Sequence, residues 1–157
     1  MTEITLRNVI PADLPVFFEH QRDPVAYRMA AYPSKEREAF MAHWTKILAG
    51  EANVIRTILV DGQVAGNMLS FLMEGKREVG YWIGREYWGK GVATAALRQF
   101  LDVVTERPLY AYVVQHNAGS RRVLEKCGFQ LLRETGEEVI LKLNGDQGPS
   151  GPAESPA

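Results

Sequence analysis

One cysteine, Cys127, stands among 157 residues. A single thiol excludes an intramolecular disulfide and the multi-cysteine ligand set of a structural zinc site. Histidine is nearly as scarce: His20, His43 and His116 are scattered, with none of the spacing that metal ligation needs. No metal is expected. No apolar run approaches the length of a membrane span. The segment Met1-Thr2-Glu3-Ile4-Thr5 lacks the basic-then-apolar pattern of a secretory leader. A cytoplasmic address and no membrane partner are therefore expected. Basic charge is not in excess either. Lys and Arg total 18 against 19 Asp and Glu, a net charge of −1, so no nucleic-acid partner is expected.

What is present is the composition of an ordinary soluble domain, with 46% hydrophobic and 24% charged residues. A chain of this length buries enough surface to fold without staples. The reading is one domain over residues 1–143 and a tail over 144–157. The tail is rich in Gly, Pro and Ser and has Ala as its only hydrophobe. It buries too little to offset its ordering entropy, so disorder is expected there.

Ile4 to Val9 reads as a strand. Pro11 and Asp13 suit a helix start before Leu14, Val16, Phe17 and Phe18. Asp23 to Pro33 reads as irregular. Ser34 is the expected N-cap of a second helix, carrying Phe40, Trp44, Ile47 and Leu48 on one face and ending at Gly50. Thr57 to Val60 and Val64 to Leu72 form a hairpin about Asp61-Gly62. Glu78 to Ile83 is the next strand. A glycine-bearing loop then enters a long helix with Val92, Ala96, Leu97, Phe100 and Leu101 on its inner side, closed by Pro108. Leu109 to Val114 is a strand. Asn117 caps a helix ending at Gly128, and Phe129 to Leu132 and Val139 to Leu143 close the chain as a hairpin about Gly136. A strand–helix–strand crossover is right-handed and returns the chain in the same direction. The two strands flanking the long helix should be parallel and the rest antiparallel. The fold class is α/β (α+β) with a mixed, mostly antiparallel sheet and about four helices.

The chemistry lies in Gly84-Arg85-Glu86-Tyr87-Trp88-Gly89-Lys90-Gly91-Val92-Ala93-Thr94. Glycines two apart between a strand and a helix permit a sharp turn and close ligand approach. The free N–H groups and the dipole at the helix start favour phosphate. A nucleotide P-loop would use Gly84, Gly89 and Lys90, but Gly91 stands where Ser or Thr must ligate magnesium. A dinucleotide fingerprint would use Gly89 and Gly91, but Thr94 holds the third place. The third reading is the pyrophosphate loop of a coenzyme A enzyme.

Tyr81 through Thr94, then Asn117-Ala118-Gly119-Ser120 and Leu124-Glu125-Lys126-Cys127-Gly128-Phe129, resemble the GNAT superfamily of N-acetyltransferases, and within it the ribosomal-protein alanine N-acetyltransferase branch. The resemblance runs in element order over about residues 4 to 143 and is strongest from Glu78 to Phe129. It implies an enzyme that moves acetyl from acetyl-CoA to a primary amine by direct attack, with no metal. It implies cofactor contacts at Trp88, Gly89, Lys90, Gly91, Val92, Ala93 and Thr94 for the pyrophosphate. Trp88 takes a place usually held by Gln or Arg. It further implies that the parallel strand pair splays apart and that the pantetheine contacts Tyr81, Trp82, Ile83, Asn117 and Ser120. The family's usual acidic tyrosine falls at Leu124 here, and Ser120 takes its role as the acid. Glu78 is the candidate base, with Glu19, His20, Glu74 and His116 as rivals. Tyr27, Met29 and Tyr32 lie where the family lines its acceptor pocket. The partner is a small-molecule or peptide amine, and the state is monomer or homodimer. A non-catalytic acyl-CoA-binding domain and a P-loop nucleotide binder are the alternatives at this stage.

Overall fold

The computed structural model describes residues 2–31 and 34–145. Tyr32 and most of the expected tail lie outside them. One seven-stranded sheet organises the chain, in the order β1-β2-β3-β4-β5-β7-β6. The strands are β1 Ile4–Arg7, β2 Val54–Val60, β3 Gln63–Met73, β4 Lys76–Ile83, β5 Leu109–Val114, β6 Gln130–Glu134 and β7 Glu138–Leu143. Every neighbouring pair is antiparallel except β4 and β5, which are parallel. Five helices accompany the sheet: α1 Leu14–Gln21, α2 Pro24–Ala30, α3 Arg37–Ala49, α4 Val92–Val103 and α5 Ala118–Lys126.

Both short hairpin turns have positive φ at two successive residues, Asp61-Gly62 and Glu74-Gly75. That is the type I′ geometry whose twist matches paired strands. The Asp61 carboxylate also accepts the Glu3 N–H at 2.7 Å, which ties the turn to the start of β1.

The sheet has two covered regions. On one face α4 buries Val92, Ala96, Leu97, Phe100 and Leu101 against Val79, Ile83, Leu109, Ala111, Leu141 and Leu143. On the other, α1 and α3 carry a separate cluster of Phe17, Phe18, Phe40 and Trp44. Phe17 and Trp44 stack at 5.0 Å between ring centroids. Each buried aromatic or aliphatic side chain of this kind contributes about 1.5–3 kcal/mol. Among the described residues no helix is long and apolar enough to cross a membrane.

Four local expectations need correction. Residues 24–30, expected to be irregular, form α2: the Asp23 side chain accepts the Val25 N–H at 3.0 Å and Pro24 fills the first helical position. This Asp-Pro pair is a helix-start signal. Ser34 does not cap α3. Glu36 holds that place, and the Ser34 hydroxyl instead accepts from the Gln21 amide at 3.2 Å. The segment Pro11–Asp13 is a single 3-10 turn, and Asp13 is buried rather than displayed at a helix start. Helix α4 ends at Val103, before Pro108 is reached. Among the described residues there are thus five helices, where about four were expected.

Candidate active site

β4 and β5 are in register only at Arg77–Leu109 and Glu78–Tyr110. From Val79 to Ile83, β4 has no strand partner on that side, and the two strands diverge. A cleft of about 640 Å³ occupies the fork. Its walls are the end of β4, the loop into α4, the start of α5 and one side of α2. At Tyr81 this diverged edge can meet an extended, amide-bearing ligand.

The glycine loop opens on the same cleft. Gly89 and Gly91 have φ of +72° and +77°, and a methyl group built on either would meet nothing within 4 Å. Left-handed backbone is the reason for glycine there, not crowding. Gly91 is the N-cap of α4 and offers no side-chain cap. The first N–H groups of α4 are thus left for a ligand, at the positive end of a 12-residue helix. The Trp88 indole N–H donates to the Ile83 carbonyl at 2.9 Å, which pins the loop to the end of β4. Gly84 permits a further close approach, since a methyl there would stand 2.7 Å from His20 Nε2.

Opposite, Asn117 caps α5: its side-chain oxygen accepts the Ser120 N–H at 3.2 Å. The Asn117 NH₂ is then the group left to face the cleft. Ser120 Oγ lies 2.8 Å from the Tyr81 hydroxyl. Burial pushes the Tyr81 phenol up to about 12, against the opposing pull of the Ser120 hydrogen bond. Helix α2 is held across the cleft at both ends. Arg85 pairs with Asp23 at 3.0 Å, and His116 Nε2 is 3.0 Å from the Arg28 carbonyl.

Tyr81, Trp82, Ile83, Trp88, Gly89, Gly91, Val92, Ala93, Thr94, Asn117, Ser120 and Met29 all line the cleft. Lys90 and Tyr27 do not, and Lys90 is exposed. Glu78 is half-buried at the last paired position before the fork. It alternates with Val79 and Tyr81 along β4, so its side chain leaves by the opposite sheet face. Burial, then Glu138, raises its pKa, and Lys76 opposes them. Of the rival bases, Glu19 pairs with Arg22 at 3.3 Å on the surface, and Glu74 sits in the β3–β4 turn. His20 is held toward its neutral form by burial, against Glu86 and Glu19. His116 lines the cleft. Cys127 is buried in the core, its thiol pushed up by that burial. Leu124 is core as well.

Sequence reasoning missed Ala26 and Ala30 of α2, and Arg122 and Lys126 of α5, all of which line the cleft. The signal for the two cations was present. They stand four apart on a helix whose first turn was already assigned to the site, so they share its face.

The Acetyltransferase (GNAT) domain family matches residues 3–130. The chain belongs to the GNAT family of N-acetyltransferases. It is 32% identical over 117 residues to the "Putative ribosomal N-acetyltransferase YdaF" of Bacillus subtilis, covering 69% of this chain and 62% of that protein. The chain thus spans less than two thirds of that relative's length. Among solved structures, spermidine N-acetyltransferase from Vibrio cholerae, in complex with CoA and spermine, superposes with a TM-score of 0.79. Its identity is 16%, over 91% of this chain and 96% of that one. Mycobacterium smegmatis RimJ in complex with CoA-disulfide gives 0.73 at 22% identity, over 94% and 85%. These neighbours share the fold.

Proposed function

We propose that this protein transfers the acetyl group of acetyl-CoA to a primary amine in a ternary complex. Residues 1–143 act as the catalytic domain, and 144–157 take no part. The observation that carries this reading is the uncapped start of α4, with Gly89 and Gly91 in left-handed conformations, opening on the fork of β4 and β5. A pyrophosphate fits the helix start, and a pantetheine arm fits between the diverged end of β4 and Asn117. Arg122 and Lys126 add positive charge suited to the remaining phosphate. The bound substrate brings a thioester whose sulfur is a good leaving group.

The protein's residues supply the rest. Backbone N–H groups at the end of β4 steady the oxygen that gains charge as the amine attacks. The amine must shed protons, and Glu78 receives them directly or through water; its raised pKa suits the task. Ser120 protonates the departing sulfur from the other face of the sheet. Separating base from acid across the fork gives the amine one approach and the thiol another exit. Tyr27 and Met29, both on α2, border the acceptor side.

Isothermal titration with CoA and acetyl-CoA tests the cofactor half. Thiol release on a panel of alanine-initiated peptides, spermidine and small amines tests the acceptor half. Micromolar CoA binding with amine-dependent thiol release is expected. No binding of CoA refutes the proposal; binding without release on any amine reduces it to acyl-CoA binding.

A further inference from the structure

We propose that Tyr81 is the positioning residue for the leaving-group proton: its hydroxyl, 2.8 Å from Ser120 Oγ, turns the serine proton into the cleft and replaces that proton as it leaves. The inference rests on the acetyl-transfer reading above. It adds a second hydroxyl, contributed by β4, to a step that sequence reasoning gave to Ser120 alone.

The argument is one of proton counting. Each hydroxyl has one proton. The partners of the Tyr81 hydroxyl are Ser120 Oγ at 2.8 Å and the Ser120 carbonyl at 3.4 Å. If serine donates to tyrosine, the tyrosine proton has only the long contact to the carbonyl, and serine has nothing left for sulfur. If tyrosine donates to serine, it makes the short bond and the serine proton is free to face the cleft. Negative charge on sulfur selects the second arrangement.

Acidity points the same way. An aliphatic hydroxyl is a far weaker acid than a thiol, so serine alone would be left as an alkoxide. A phenol is the stronger acid of the pair even when buried, so the proton deficit moves to Tyr81. As the carbon–sulfur bond breaks, its electron pair goes to sulfur. Sulfur takes the Ser120 proton, and Ser120 takes the Tyr81 proton along the short bond. The tyrosinate recovers a proton through solvent from the one that the acetylated nitrogen has shed. The site ends neutral and unchanged. Cys127 is the titratable group beside Tyr81, and its thiol donates to the Thr94 carbonyl at 3.8 Å. Tyr87, His116, Arg122 and Lys126 are the other titratable side chains lining the cleft; none is altered in the Tyr81 and Ser120 variants.

Tyr81→Phe keeps the ring in the core and removes only the hydroxyl. On the best amine of the panel, kcat should fall by about ten- to a hundredfold, with the KM for acetyl-CoA within about twofold. Ser120→Ala should fall at least as far, and the double variant no further than Ser120→Ala, because two members of one relay are not additive. A readout needing no acceptor is the ultraviolet titration of the thiol of bound CoA. Both single variants should raise its pKa by about one unit, a tenfold change in acid constant. In the unaltered enzyme, the single-turnover rate in mixtures of light and heavy water should curve as two protons in flight require; this reading does not depend on any variant folding. A Tyr81→Phe enzyme with unchanged kcat and bound-thiol titration, a multiplicative double variant, or a linear isotope dependence overturns the relay while leaving acetyl transfer intact. Loss of CoA binding by the unaltered protein would instead overturn acetyl transfer itself.

Discussion

Gly91→Ala separates a turn from a phosphate site. Gly91 has φ +77° and ψ 9°. A side chain in that conformation costs about 1–2 kcal/mol. The added methyl meets no protein atom within 4 Å, so no steric penalty adds to the strain. At roughly 2–4 °C per kcal/mol for a domain of this size, Tm should fall by about 2–8 °C. Binding should suffer more. The new methyl projects where backbone N–H groups must meet phosphate oxygens, and each such charge-assisted bond contributes about 1.5–3 kcal/mol. Losing one weakens CoA by about ten- to a hundredfold. Calorimetry with CoA reads the affinity, and a melt without ligand reads the strain. Gly62→Ala is the control, because Gly62 has φ +83° with nothing within 4 Å but lies in the β2–β3 turn. It should show the same melting loss and unchanged CoA affinity. Equal CoA affinity in Gly91→Ala and the unaltered protein would show that the glycines serve only the turn.

Asp13→Ala should destabilise the protein by about 1–3 kcal/mol in a denaturant titration. It strips the buried Thr57 hydroxyl of its acceptor at 2.6 Å and releases Arg7, which bonds Asp13 at 2.8 and 2.9 Å but is 35% exposed. Burial pushes the Asp13 pKa up, but Arg7, Thr57 and the Ile10 N–H outweigh it, so the folded value lies below the ordinary one. Its stabilisation is full above the ordinary carboxylate range and is lost as pH falls through the lowered folded value. His20 acts earlier: its folded pKa is lowered by burial, so below about pH 6.5 the unfolded chain takes up a proton that the folded one resists. Melts should therefore weaken in two stages on acidification, and His20→Gln should shrink the first, to which His43, also lowered by burial, contributes. Glu74→Asn should raise stability by about 0.4–1 kcal/mol, since φ +52° favours Asn over Glu. Arg122→Ala combined with Lys126→Ala should weaken CoA more than dephospho-CoA by calorimetry; equal losses would remove these cations from phosphate recognition.

The sequence by itself determined the elements with strong local signals. Asp61-Gly62 and Gly89-Lys90-Gly91 need backbone conformations that few other residues adopt, so their turns are legible one residue at a time. Helix α4 is legible because its apolar positions repeat at helical spacing. The single parallel pair follows from the handedness of the crossover, whereas the place of β7 between β5 and β6 was decided by packing. Local reading failed where a signal was weak or had a competitor. Asp23-Pro24 starts a helix too short to show periodicity. Ser34 had the right chemistry for a cap, but Gln21, distant in sequence, took its hydroxyl. Asp13 looked like a helix-start residue and became half of a buried ion pair with Arg7, through a contact that Thr57, 44 positions on, completes at 2.6 Å.

The candidate site divides the same way. The phosphate loop is one continuous segment, so its chemistry was visible in the sequence. The fork between β4 and β5 was expected only through the family resemblance, because strand divergence depends on what packs on both faces of the sheet. The meeting of Tyr81 with Ser120, which are 39 positions apart on a strand and a helix, was not visible. Tyr81 packs on the core face of β4 beside Val79 and Ile83. Only the docking of α5 against that face brings a second hydroxyl within hydrogen-bond distance. Backbone conformation is decided by neighbours along the chain, whereas a proton path depends on groups that only packing brings together.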